Sequence, residues 1–216
     1  YNSAVLNSSL LGTWDGNMYL QANNYYNYLI YSKPNLCKVS AAGLEPYKFM
    51  NHSNYNFSTI FKNKKILIIS SHKNTIEKQL KNINNIHTKN IFDKTSTFYV
   101  YKPPQQNGNS NDTNSWVYHF NKFKLDIDNI NNNIFDFDIA LVSSGGFGMI
   151  ISNYIHTNLN KSVIYVGGAL QLYFGINGNR WRQNHFINSI KNDYWTDVLD
   201  IDKPKNTMIV EGSCYW

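Results

Sequence analysis

The chain is poor in cysteine and in acid, and each shortage excludes something. Its two cysteines, Cys37 and Cys214, form neither a zinc spacing nor a disulfide framework and read as free thiols in a reducing compartment. Its six histidines show no H-x-x-x-H spacing, so no zinc site is expected. No run is long and apolar enough to span a bilayer, and the start lacks the succession of a secretion signal; a soluble, cytoplasmic protein is expected. The first residue is Tyr1, already inside a pattern, so a piece of a longer polypeptide or a processed chain is expected. G-x-G-x-x-G is missing and no Walker lysine follows a glycine loop, so a dinucleotide-dependent oxidoreductase has no fingerprint here.

What is present bounds the class. With 42% hydrophobic residues, 216 residues can bury one sizeable core, so a single domain is expected. The abundance of Asn, Ile, Lys and Tyr is the usage that AT-rich codons impose, a genome signature and not a function. The formal charge of +6 comes from dispersed lysines, as in "KNKK" and "KPK", with no basic helical stripe. Nucleic acid is therefore not the expected partner; a site for anionic phosphates accounts for the excess.

The pattern along the chain divides it into three parts. Residues 1–60 read as a helical front section, with one or two helices over Ser8 to Tyr31 and a short strand at Leu36 to Ser40. Residues 61–182 alternate. "KKILIISS" is an apolar strand, followed by helical spacing at Ile76, Leu80 and Ile83. "STFYVYKPP" is a second strand, and "DTNSWVYHFNKFKLDIDNI" a second helix with Asp112 or Thr113 as its cap. "FDIALVSSGGFG" runs into the helix "MIISNYIHTNL", and "KSVIYVGG" into the helix "ALQLYFG". Gln106 to Asp112 reads as a polar, mobile excursion, and residues 183–216 as a tail. Parallel strands need crossovers and crossovers are mostly helical, so the reading is an α/β, Rossmann-like parallel sheet flanked by helices.

Ligands of such sheets bind outside the carboxyl ends of the strands. Those ends carry His72, the glycines Gly145, Gly146 and Gly148, and the pair Gly167 and Gly168. Glycine turns let backbone N–H groups approach a phosphate; the alternative is a tight strand-to-helix turn. If the third and fourth strands are neighbours, both loops face one crevice. Arg180 suits a bidentate phosphate contact, or a surface salt bridge. Trp181 suits stacking on a ligand, or core packing. His72 would contact a ligand or cap the helix. Asp193 and Glu211 are candidate general bases or metal ligands, or plain surface carboxylates. The closing "VEGSCYW" is expected to fold back near the crevice mouth, burying Tyr215 and Trp216, with Gly212 allowing the bend.

The stretches "AAGLEPY", "NKKILIISSHKNTIEKQ", "FDIALVSSGGFG", "VGGALQLYFGINGNRW", "NDYW" and "VEGSCYW" together resemble a family of glycosyltransferases of bacterial and giant-virus surface-polysaccharide clusters. The Gly-Gly-Ala-Leu-Gln motif and the closing Tyr-Trp carry most of the likeness, which spans nearly the whole chain. That family is similar to the GT-D glycosyltransferases. The resemblance implies a nucleotide-sugar donor, a glycan acceptor and a divalent cation, Mn²⁺ or Mg²⁺, held by an Asp-x-Glu motif. On that basis the glycine loops hold the diphosphate, Gln171 reaches donor or acceptor, Arg180 offsets leaving-group charge, and Asp193 or Glu211 positions the acceptor or a metal. This chain departs at Ser143, Ser144 and Asp193, and it has no Asp-Gly-Glu; Asp15-Gly16 lacks the acid. The alternative to a transferase is a non-catalytic module that binds a sugar nucleotide or glycan.

Overall fold

The front of the chain departs from the helical expectation at Leu10 to Thr13. The computed structural model describes residues 1–13, 24, 31, 33, 35–41, 57–105, 108 and 112–216. Within them, helix α1 (Asn2–Asn7) is followed at once by strand β1 (Leu10–Thr13), which pairs in parallel with β2 (Cys37–Ser40). The strand near Leu36 is as expected, whereas Leu10 to Thr13 forms a strand where the pattern predicts helix. Leu11 alone of that strand is buried, packing with Val5, Leu36 and Met149, so a tertiary contact overrides a weak helical pattern. Of the remaining helical expectation up to Tyr31, the described residues Asn24 and Tyr31 are helical; the rest, and most of the Gln106 to Asp112 excursion, lie outside the described residues.

The alternating part forms as the sequence implies. Strand β3 (Lys65–Ser70) leads into helix α2 (Lys73–Leu80), β4 (Thr97–Tyr101) into α3 (Trp116–Asn129), β5 (Ile139–Ser143) into α4 (Gly148–Leu159), and β6 (Ser162–Tyr165) into α5 (Leu170–Tyr173). The strands make one parallel sheet in the order β4-β3-β5-β6. Residues alternate between its two faces. Ile66, Ile68 and Leu141 pack with Ile76 of α2 and with Leu170, Tyr173 and Phe174; Leu67, Ile69, Ala140 and Val142 pack with α3 and α4. Both faces are covered, which is why these strands read as unbroken apolar runs.

Two local expectations change. The cap of α3 is Ser115, whose Oγ accepts the Tyr118 N–H at 3.1 Å, because the helix begins at Trp116; Asp112 instead accepts from Asn114. Helix α5 is a single turn, ended by Gly175 at φ 61°, where a Cβ would strike Ile86. The chain then adds β7 (Ile176–Asn177), α6 (His185–Ile190) and β8 (Thr196–Asp197), the last pairing with β7 in parallel. No helix of the described residues is long and apolar enough to cross a membrane.

Candidate functional site

The strand order places the crevice. From β3 the chain moves outward to β4, then crosses back to β5 and on to β6, so the order reverses between β3 and β5. Open α/β sheets bind ligands at the carboxyl side of that reversal. Ser70 and Ser143 are register partners there, which puts Ser70 to His72 on one wall and Ser143 to Gly145 on the other. Three polar atoms at this edge are buried without a protein partner: His72 Nε2, Ser144 Oγ and Trp216 Nε1. The His72 and Trp216 rings meet edge to face, with centroids 4.8 Å apart. Burial lowers the His72 pKa to about 4, with Lys102 acting the same way and Asp202 and the Tyr215 backbone opposing. His72 is therefore neutral at pH 7, and its side chain does not cap α2.

The start of α2 is already occupied by an anion from the same chain. Asp202, 1% exposed, accepts from the Thr75 N–H and Thr75 hydroxyl, both at 2.7 Å, and from the Asn74 side-chain amide at 2.7 Å and N–H at 3.3 Å. Lys102 Nζ lies 3.6 Å from the same carboxylate. Burial alone would raise the carboxyl's pKa, but the bonds from Asn74 and Thr75 outweigh it and hold it below the usual range. A phosphate has no room at this helix terminus while Asp202 stays.

The two glycine turns stand side by side, because β5 and β6 are neighbours. Gly145 and Gly167 each open a 3₁₀ turn with φ of 51° and 68°, and a Cβ on either would meet nothing within 4 Å. Open space beside a left-handed glycine allows a ligand to approach the backbone. Gly148 and Gly168 serve the fold instead. A Cβ on Gly148 would lie 2.1 Å from the Tyr165 ring, and one on Gly168 2.3 Å from the Tyr215 ring. At Gly146 the Tyr1 hydroxyl donates to the backbone carbonyl at 2.5 Å.

Residues 211–216 fold over this edge, as expected. Trp216 is buried in the core, but Tyr215, which lies over Gly168, is only half-buried. The turn that returns them is left-handed at Glu211, Gly212 and Ser213, with φ of 45°, 62° and 63°. Arg180 reaches the same place: its Nη2 is 2.6 Å from Glu211 Oε2, and its guanidinium sits 4.9 Å over the Tyr215 ring.

Other expected site residues lie elsewhere or face inward. Asp193 is exposed, in a turn whose neighbours bond to Gln79, Asn85 and Ile86, beyond the end of α2 that faces away from the crevice. Trp181 is buried with Leu172 and Ile187, so core packing is its role. Gln171 is 2% exposed and donates to the Ile176 carbonyl at 3.2 Å, tying α5 to β7 rather than reaching outward.

The described residues do not fit the cation that the resemblance implies. Among them no three His, Cys, Asp or Glu side chains gather, and the two carboxylates nearest the crevice, Asp202 and Glu211, already accept from protein donors. Asp202 and Lys102 are residues that sequence reasoning missed. The bonds from Thr75 to Asp202 span 127 positions, and no local pattern announces them. Comparison of the chain with family models, curated proteins and solved structures returns no match.

Proposed function

We propose that the chain binds a nucleotide-diphosphate sugar at the carboxyl edge of its sheet and transfers the sugar to a glycan acceptor. The observation that carries the reading is the set of unpartnered buried atoms at the strand-order reversal, His72 Nε2, Ser144 Oγ and Trp216 Nε1, beside two open glycine turns. Buried polar groups are nearly always paired, so a set left unpaired at this edge suits the hydroxyls of a sugar. The glycine turns at Gly145 and Gly167 would admit the diphosphate. Arg180 would offset the charge that develops on it as the bond to the sugar carbon breaks. Of the two carboxylates first considered, Glu211 stands at the crevice and Asp193 does not, so the acceptor's proton would pass to Glu211.

A non-catalytic binding module is the second reading, and one observation favours it: Glu211 is engaged by Arg180 rather than free. Thermal shift with UDP-, GDP- and dTDP-sugars, with and without Mn²⁺, tests binding. A donor at a hundred times its Kd stabilises by about 2.7 kcal/mol, which raises Tm by about 5–10 °C for a chain of this size. No shift with any sugar nucleotide would refute the first reading. Binding without release of nucleoside diphosphate, when a panel of glycan acceptors is added, would establish the second.

A further inference from the structure

Three donors converge on one oxygen of Glu211. Its Oε2 accepts from Arg180 Nη2 at 2.6 Å, from the Tyr215 hydroxyl at 3.2 Å and from the Cys214 thiol at 3.5 Å. A guanidinium, a phenol and a thiol around one anionic oxygen is the environment of a bound anion, and phosphate oxygens accept from the same donors as carboxylates. The carboxylate is delivered by a backbone that side chains disfavour: Glu211 and Ser213 are non-glycine residues at φ 45° and 63°. The segment does not depend on that carboxylate for its position. Arg180 N–H donates to the Cys214 carbonyl at 2.9 Å, and Asn179 Nδ2 to the Ser213 carbonyl at 3.1 Å. Arg180 and Glu211 are also open to water, with side chains 41% and 60% exposed.

The geometry points to a phosphate site formed by Arg180, Tyr215 and Cys214, in which the Glu211 carboxylate is an internal stand-in that a ligand phosphate displaces. The Tyr215 ring touches both the Arg180 guanidinium and the Gly168 turn, so a diphosphate seated on Arg180 has its second phosphate toward the glycine loop at the end of β6. This inference rests on the reading above for its natural ligand, but the site itself asks only for a phosphate. Once displaced, Glu211 is released into the crevice mouth, where a carboxylate is free to take a proton.

Inorganic pyrophosphate, titrated calorimetrically into the full chain, is the probe. Glu211→Gln removes a competing and repelling charge worth about 1 kcal/mol at contact in water, so pyrophosphate should bind about five- to tenfold more tightly. Arg180→Gln should weaken it by tenfold or more, and the gain in the Glu211 variant should vanish at about 1 M salt. Should Glu211→Gln fail to fold, Glu211→Asp, whose shorter side chain withdraws the carboxylate, must shift affinity in the same direction. Absence of pyrophosphate binding to the wild-type chain, or unchanged or weaker binding in the Glu211 variants, overturns the inference. If pyrophosphate behaves as stated and no nucleotide sugar binds, the phosphate site stands and the donor reading falls. If nucleotide sugars bind and neither variant changes their affinity, the donor reading stands and this site falls.

Discussion

Replacing Asp202 with Ala tests the account of how the C-terminal part of the chain is fastened to the sheet. The substitution removes an acceptor from four donors on Asn74 and Thr75 and leaves them facing a buried space. It also unties residues 199–202, since Thr75 Oγ1, which donates to Asp202, accepts the Leu199 N–H at 3.0 Å. Removing one member of a buried charged network costs about 3–5 kcal/mol, against a total stability of about 5–15 kcal/mol. At about 2–4 °C per kcal/mol for a chain of this size, Tm should fall by about 6–20 °C. Asp202→Asn keeps the volume and one acceptor but loses the charge that complements the α2 terminus, so about 1–3 kcal/mol is expected. The pH dependence has a definite sign. The carboxyl's folded pKa is depressed, so its contribution is fully present above the unfolded value of about 3.9 and is lost as pH falls through the folded value. The gap between wild type and Asp202→Ala should therefore be constant near neutrality and close in strong acid. Urea unfolding followed by far-ultraviolet circular dichroism, repeated across pH, measures both. A loss under about 1 kcal/mol at neutral pH, or a gap that widens in acid, would show that this carboxylate does not fasten the segment.

Three further outcomes are expected. Burial lowers His72 and His87 to about 4 each, so stability should be fullest above pH 6.5 and fall as pH drops toward 4, by up to about 3 kcal/mol per histidine; His72→Phe should roughly halve that slope in a pH series of denaturant melts. Gly148→Ala should destabilise by about 1–3 kcal/mol because its Cβ meets the Tyr165 ring, and Tyr165→Ala in the same chain should recover part of the loss; additive effects in the double-mutant cycle would refute the clash. Trp216→Ala should cost about 3–5 kcal/mol, while Trp216→Phe should cost far less, since it removes an unpartnered buried N–H worth about 1–3 kcal/mol; equal losses would mean that the indole N–H is bonded.

The central strands β3 and β5 were legible because both their faces are buried and few polar positions blur the apolar run. The edge strands β4 and β6 are only partly buried and were legible from their β-branched and aromatic residues. The adjacency of β5 and β6 was legible as a condition, since successive parallel strands joined by one helix usually neighbour each other. The strand order was not. Nothing local in "KKILIISS" states that β5 will lie against it on the side away from β4, and that pairing moves the reversal to β3 and β5. His72 and Ser144 thereby become its walls. The glycines divide on the same ground. Gly145 and Gly167 are explained by their own left-handed backbone, a local property. Gly148 and Gly168 are explained by the rings of Tyr165 and Tyr215, which arrive from elsewhere in the chain. Trp181 and Gln171 show the converse: a residue next to a glycine-rich turn looks available to a ligand until the packing of Leu172 and Ile187, or the Ile176 carbonyl, claims it.

The chain answers two positive positions at the carboxyl edge with its own acids, and their surroundings make the two unequal. Asp202 is almost wholly buried, its partners are two backbone N–H groups and two side chains of a helix terminus, and its removal exposes all of them unpaired. A ligand anion would have to replace every one of those bonds and also open residues 199–202. Glu211 is mostly exposed and holds a pair of the kind worth about 0–1 kcal/mol. An anion displaces the second at far lower cost than the first, which sits in a buried network worth about 3–5 kcal/mol. Anions should therefore enter beside Arg180 and the β6 turn, not at α2. An Arg180 variant should lose anion binding with little change in Tm, and an Asp202 variant should lose stability without gaining an anion site. Any tightening of pyrophosphate binding in a folded Asp202→Asn chain would contradict that division.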